Sequence, residues 1–216
     1  MVTAIIVFFL LGFPIALVLE GSVRRIGNRI RISGKLIDAV NDSDLWAGSY
    51  NRNIEDVFKV QSEIAKTIAS TLETQLSPAE KQKLKKIPTD NISAYDFYLR
   101  GRDLYYQYTD ANNELAIEQF KKAIGLDPEY ALAWAGLGDA YSQKNVLFGH
   151  EFIWNDSSIA AGEKAVALDP TSSDVFKTLA NAYNYAHKYD RAFELLQKAM
   201  ALNPNNAAAI GNLGSS

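Results

Sequence analysis

Few residues in this chain of 216 could carry out catalysis. It has no cysteine, so thiolate nucleophiles, disulfides and cysteine metal sites are excluded. Its two histidines, His150 and His187, offer little material for a metal cluster or a serine–histidine–aspartate triad. Gly21, Gly27 and Gly34 are not followed by the Lys-Ser or Lys-Thr of a phosphate-binding loop. We therefore expect a protein that is not an enzyme and has neither metal nor cofactor.

A second kind of chemistry is offered by polar side chains near the C-terminal end. Lys177 and Asn181 lie one turn apart in the helix predicted to begin near Ser173. Lysine supplies positive charge and asparagine supplies directed N–H donors, which together suit a carboxylate. The net charge is −3, which gives no overall basic field for nucleic acid. No nucleic-acid partner is therefore expected, and simple solvation of Lys177 and Asn181 is the alternative to a carboxylate site.

The N-terminal segment, residues 1–19, has no charged side chain. A helix of about 20 apolar residues spans a bilayer core, so the run predicts a single transmembrane helix. Gly12 and Pro14 are tolerated within such a helix. The alternative is a buried strand or core helix, which the β-branched stretch 15–23 favours. The basic residues within 24–35 place the following part in the cytoplasm under the positive-inside rule, but they also fit a hairpin, so the membrane side stays open.

Residues 16–52 have the pattern of short antiparallel strands. Ile30, Ile32 and Leu36 alternate with polar residues, which indicates a half-buried strand. The Gly27-Asn28 pair before it predicts a hairpin turn. A second turn is predicted at residues 41–44 and a third strand at 45–50.

A helix is predicted to follow these strands. Asn53 is placed to cap it, and Glu55 and Asp56 fall in the first turn, where the helix dipole favours carboxylates. An apolar stripe on one face should pack on the sheet; it comprises Ile54, Val57, Phe58, Ile64, Ile68, Leu72 and Leu76. A short basic helix is expected at residues 77–86, and a linker at 88–93.

From Ala94 onward the sequence repeats a helical pattern. The spacing of Trp134, Leu137, Gly138 and Tyr141 matches Trp-x2-Leu-Gly-x2-Tyr, a signature of the tetratricopeptide helix. Three segments end in Leu-Asp-Pro or Leu-Asn-Pro, at Pro128, Pro170 and Pro204. The last two prolines are 34 residues apart, the length of one repeat, and the first two are 42 apart. The excess falls near residues 143–156, so a longer connection is expected in the middle repeat.

This spacing resembles the tetratricopeptide repeat family, which implies a solenoid of α-hairpins over residues 94–216. About three repeats and a truncated fourth are expected there. The packing signature consists of Trp134, Leu137, Gly138, Tyr141, Ala192 and Pro204. In this family the first helix of each hairpin lines the inner surface. The resemblance therefore implies a peptide-binding set of Lys177, Asn181, Asn184 and Asn212, either as part of a carboxylate clamp or within a general protein-binding groove.

Residues 17–88 resemble the TolB amino-terminal-like (FlgO-like) domain of bacterial proteins. The resemblance rests on Val18–Ile32, Leu36–Ala39, Leu45-Trp46 and Asp56–Phe58. That domain occurs beside tetratricopeptide repeats, in some proteins downstream of a cyclase, kinase or winged helix. The strand and helix that begin the family's domain have no counterpart here, so an internal deletion is expected near residues 15–20.

The expected organisation is a transmembrane segment at 1–19, a partial TolB-like α+β domain at 20–88 and the repeats at 94–216. The fold class is thus mainly α with a small α+β part. The expected function is a membrane-anchored interaction scaffold, with the bacterial inner membrane as its location. The alternatives are the residual regulatory arm of a signalling protein and a fragment without function.

Overall fold

A computed structural model describes residues 2–9, 16–71, 87–149 and 152–204. The chain divides into two compact units, residues 1–87 and 88–216. The first contains an antiparallel sheet and a helix, and the second contains paired helices.

In the described residues of the first unit, the sheet has four strands in the order β1-β2-β3-β4. They are β1 (Val2–Phe9), β2 (Ala16–Ile26), β3 (Arg29–Asp38) and β4 (Ser43–Asn53). Neighbouring strands pair antiparallel throughout, and Leu17, Ile30 and Leu36 are buried.

The helix predicted across residues 1–19 is wrong where the structure describes them. Val2–Phe9 is a strand whose partners on β2 run from Val23 back to Ala16. Valine, isoleucine and phenylalanine are strand-forming residues, and an uncharged run alone does not separate a strand from a helix. In the described part of the chain, every helix is too short or too polar to cross a membrane. Gly12 and Pro14 lie outside the described residues.

The predicted first turn of the sheet is confirmed, and the second lies at residues 39–42, two residues before the predicted 41–44. Ile26 pairs with Arg29 across Gly27-Asn28, and Gly27 has φ = +58°, a value that glycine adopts without strain. The second turn is held by Asp38, whose carboxylate accepts hydrogen bonds from the main-chain N–H groups of Val40 and Asn41. The third strand, predicted at 45–50, extends over Ser43–Asn53.

Helix α1 (Val57–Thr71) follows β4 after one 3-10 turn, Ile54–Asp56. Asn53 occupies the cap position, but its side chain makes no capping hydrogen bond. Helix α1 packs on β4, as the apolar stripe predicts, and Phe58 is buried in it. The predicted continuation to Leu76 and the helix at 77–86 lie outside the described residues.

The second unit contains three helical hairpins within its described part. They are α2 (Ile92–Tyr105) with α3 (Asp110–Leu126), α4 (Ala131–Phe148) with α5 (Asn155–Leu168), and α6 (Ser173–Tyr185) with α7 (Tyr189–Leu202). The second helix of each hairpin ends two residues before Pro128, Pro170 or Pro204, because proline cannot continue the hydrogen-bond ladder. The expected α-hairpin repeats are confirmed in this part.

Small residues let these helices approach closely. Ala116, Ala123, Ala192 and Ala199 are fully buried. The Phe120 ring of α3 lies against Gly101 of α2 and Gly136 of α4, where an added Cβ would come within 2.7 Å and 2.5 Å of it. Of the predicted packing signature, Leu137, Tyr141 and Ala192 are buried, and Trp134 donates its indole N–H to the Pro128 carbonyl at 2.9 Å. An added Cβ on Gly138 would lie 3.3 Å from the Ser158 carbonyl oxygen, and Pro204 is exposed at the end of the third hairpin.

The extra residues of the middle repeat lie mainly in a helix. Helix α4 has 18 residues, against 14 in α2 and 13 in α6. It ends at Phe148, and the next residue, Gly149, has φ = +68°, a left-handed conformation that commonly follows a helix. The predicted long connection is thus partly a longer first helix.

Candidate functional site

A groove lies on the face formed by α2, α4 and α6, the first helices of the three hairpins. Its volume is about 170 Å³. The lining residues are Tyr98, Arg102, Tyr105, Tyr106, Phe120, Leu132, Ala135, Gly136, Asp139, Asp174, Lys177 and Thr178. Phe120 comes from α3, and its ring closes the floor between Gly101 and Gly136. The groove therefore combines an apolar floor with charged and aromatic walls.

The repeat register explains which side chains line the groove. Each first helix has a glycine or alanine at the same repeat position, namely Gly101, Gly138 and Ala180. Two positions flank this residue on each helix, one three residues before it and one directly after it. They hold Tyr98 and Arg102 in α2, Ala135 and Asp139 in α4, and Lys177 and Asn181 in α6. Residues four apart share one face of a helix, so these pairs point the same way. Tyr98, Arg102 and Asp139 were not predicted as site residues, although the register of Lys177 would have found them.

The sequence-predicted set is only partly brought together. Among the described residues of that set, Lys177 lines the groove. Asn181 and Asn184 are half-buried further along α6. Asn212 lies outside the described residues. The lysine–asparagine clamp therefore stays a prediction.

Lys177 has a partner within the groove. Its Nζ donates to Oδ2 of Asp139 at 3.1 Å, and the two side chains are 20% and 17% exposed. The Asp139 carboxylate raises the pKa of Lys177, which keeps the ammonium charged. From the sequence we expect Lys177 to bind a ligand carboxylate. In the structure its ammonium group binds the Asp139 carboxylate.

Arg102 of α2 also lines the groove and lies between two tyrosine rings. Its guanidinium carbon is 5.8 Å from the ring centre of Tyr98 and 5.7 Å from that of Tyr106, which is within cation–π range. Within the described residues, its guanidinium has no carboxylate at ion-pair distance. Burial raises the pKa of Tyr98 to about 12, so its hydroxyl stays neutral and able to donate.

A buried network of polar side chains connects the helices next to the groove. The Asn113 amide donates to Oε1 of Gln143 at 2.6 Å and to the Ala140 carbonyl at 3.1 Å. Gln143 in turn donates to the carbonyl of Tyr105 at 3.3 Å. The network joins α2, α3 and α4, so it holds the tyrosine-bearing end of α2 against α4.

Other candidate groups lie apart from this groove. His187 is exposed in the turn between α6 and α7, as predicted, and its Nδ1 is 2.7 Å from the Tyr189 hydroxyl. Among the described residues, no group of three metal-ligating side chains could hold an ion.

Comparison with known proteins agrees with the helical architecture. A family model described as TPR repeat matches residues 112–145. The chain is similar to the Sgt2 TPR domain of Aspergillus fumigatus, with 17% identity, a TM-score of 0.50, and coverage of 58% of this chain and 77% of that one. It is also similar to the second TPR domain of human RPAP3, solved in complex with an HSP70 peptide, with 20% identity, a TM-score of 0.45, and coverage of 56% and 96%.

One relative extends the similarity beyond the helices. The chain is 30% identical over 184 residues to a protein named putative adenylate cyclase 3 from Rhizobium meliloti strain 1021. The match includes 81% of this chain and 30% of the relative, so the chain spans less than a third of that protein's length. The TolB-like resemblance of residues 17–88 stays a prediction. The helical unit has the α-hairpin fold of a TPR domain, and its residues 112–145 match the TPR repeat model.

Proposed function

We propose that this chain binds a segment of a partner protein in the groove formed by α2, α4 and α6. The observation that carries the proposal is the convergence of Tyr98 and Arg102 from α2 and of Lys177 from α6 on one groove. An apolar floor with a few placed polar groups is typical of a site that binds another molecule. This role requires no catalysis, consistent with the sequence-based expectation.

A peptide selection on the full chain tests the proposal. Random dodecapeptides displayed on phage are selected against residues 1–216, and enriched peptides are synthesised and titrated. Tyr106 is 56% exposed at the groove wall, so Tyr106→Ala should weaken binding about fivefold or more. Phe193→Ala is the matched control, because that ring is 45% exposed on α7 and does not line the groove. Equal effects of the two substitutions would count against the groove.

A second candidate role is the interaction arm of a bacterial signalling protein. Similarity to the Rhizobium meliloti protein, whose name denotes an adenylate cyclase, favours it. The test is to delete the matched segment from that protein and measure cyclic AMP formation with and without this chain added. A change in rate on addition, lost with Tyr106→Ala, supports the role. An unchanged rate argues against it.

A membrane location stays a proposal that rests on composition alone, since residues 1–19 have no charged side chain. Carbonate extraction of membranes from cells expressing the chain tests it. Retention in the pellet supports attachment, and release of the whole chain argues against it. Removal of residues 1–9 is the matched comparison.

A further inference from the structure

The positive charge of Lys177 is already neutralised inside the groove. Asp139 lies 3.1 Å from it, and both side chains are about four-fifths buried. A ligand carboxylate that took the place of Asp139 would leave that aspartate without its partner, and an unpaired, largely buried charge is costly. Asp174 lines the same groove and adds a second negative charge. A terminal carboxylate that approached Lys177 would therefore meet Asp139 before it met a free cation.

Arg102 differs from Lys177 in the partners of its charged group. The rings of Tyr98 and Tyr106 lie within 6 Å of its guanidinium and limit its orientations. In the described part of the chain it has no carboxylate partner at ion-pair distance, so its charge is not internally compensated. A guanidinium can bind a carboxylate through two parallel N–H donors, which makes an acidic group its best match.

The location of Arg102 favours a side-chain carboxylate over a chain terminus. Tyr106 beside it is 56% exposed, so this is an open edge of the groove. An aspartate or glutamate side chain can reach Arg102 from a segment that crosses this edge and continues. That segment does not need to bring its own end against Asp139.

We propose that the groove binds an internal segment of a partner protein through an acidic side chain that pairs with Arg102, and that Asp139 excludes a C-terminal carboxylate by holding Lys177. This inference rests on the proposed function and adds the chemical class of the ligand. Asp139 is thus a specificity-determining residue, and Arg102 is a ligand-binding residue.

Two phage libraries test the proposal on the full chain. One displays dodecapeptides with a free N-terminus and a fused C-terminus, and the other displays them with a free C-terminus. We expect the first library to enrich peptides that contain aspartate or glutamate. A selected peptide is then synthesised as the free acid and as the C-terminal amide, and the two Kd values should agree within about twofold.

Variants of the chain identify the contact. Arg102→Gln should weaken binding of the acidic peptide about tenfold, and replacing the peptide's acidic residue with its amide should then cause little further loss. Arg100→Gln is the control, because Arg100 lies on the same helix, pairs with Asp96 and does not line the groove. Asp139→Asn should strengthen binding of free-acid peptides over their amides.

The outcomes separate the two proposals. Binding by the unmodified chain that requires a free C-terminal carboxylate would overturn this inference and leave the proposed function intact. Equal losses for Arg102→Gln and Arg100→Gln would do the same. If neither library yields a peptide that binds, the proposed function fails and the inference fails with it.

Discussion

Lys177 and Asp139 are 38 residues apart in the sequence and form an ion pair across the groove at 3.1 Å. The pair joins α6 of the third hairpin to α4 of the second. It therefore contributes to the contact between two repeats as well as to the charge of the groove.

Removing one partner of this pair should destabilise the second unit. Lys177→Met leaves the Asp139 carboxylate without its cation, at a cost of about 1–3 kcal/mol; this is below the cost for a fully buried pair because both side chains keep some exposure. Urea unfolding followed by circular dichroism measures the change. Lys198→Met, on the exposed face of α7, is the control and should change stability by less than about 0.5 kcal/mol. A double variant with Asp139→Asn should lose less than the sum of the single changes.

The contact between Gly136 and Phe120 predicts that Gly136→Ala lowers the stability of the fold, although alanine favours a helix more than glycine does. Alanine favours a helix over glycine by about 1 kcal/mol. At Gly136 the added methyl would lie 2.5 Å from the Phe120 ring, and overpacking costs about 1–3 kcal/mol. We expect Gly136→Ala to be destabilising. Gly125→Ala in α3 meets no atom within 4 Å, so it should be stabilising by about 0.5–1 kcal/mol in the same thermal or urea unfolding experiment.

Asn113 should be much more sensitive to truncation than its neighbour Asn112. Asn113 is fully buried and donates to Gln143 and Ala140, so Asn113→Ala leaves two acceptors unsatisfied and should cost about 2–4 kcal/mol. Asn112 is half-buried, and among the described contacts its side chain bonds only Gln107. Asn112→Ala should cost less than about 1 kcal/mol. Similar losses at the two positions would contradict the role of the buried network.

Tyrosine burial predicts a loss of stability at high pH. The pKa of Tyr98 is raised by burial from 10.0 to about 12 in the folded chain, and Tyr105 and Tyr130 are shifted in the same direction. Above pH 10 the unfolded chain releases these protons while the folded chain retains them, so the free energy of unfolding falls between about pH 10 and 12. Unfolding in urea at several pH values measures this slope. Tyr98→Phe should reduce the slope, and an unchanged slope would contradict the burial of this hydroxyl.

The repeats were predictable because their signal is local. Trp134, Leu137, Gly138 and Tyr141 occur within eight residues, and their spacing reflects the packing of one helix on its neighbour. The hairpin at Gly27-Asn28 was predictable for the same reason, since the turn needs only two residues of suitable conformation.

The groove was only partly predictable because it depends on how repeats stack. Lys177 was identified from its own helix, but its pairing with Asp139 arises only when α4 and α6 lie side by side. Arg102 was not predicted as a site residue. Tyr98 and Arg102 hold in α2 the repeat positions of Lys177 and Asn181 in α6, but they are of different residue types. A strand at the N-terminus was only the alternative prediction, because a charge-free run fits both a membrane helix and a strand. The pairing of Val2–Phe9 with residues 16–23 of β2 shows that it is a strand.

The single ring of Phe120, held between Gly101 and Gly136, also constrains how this domain can change in evolution. In a relative with alanine or a larger residue at either glycine position, the added side-chain atoms would overlap a phenylalanine ring at position 120. The simplest compensation is a smaller residue at the position of Phe120. These three positions, on three different helices, should therefore vary together across homologues and not independently.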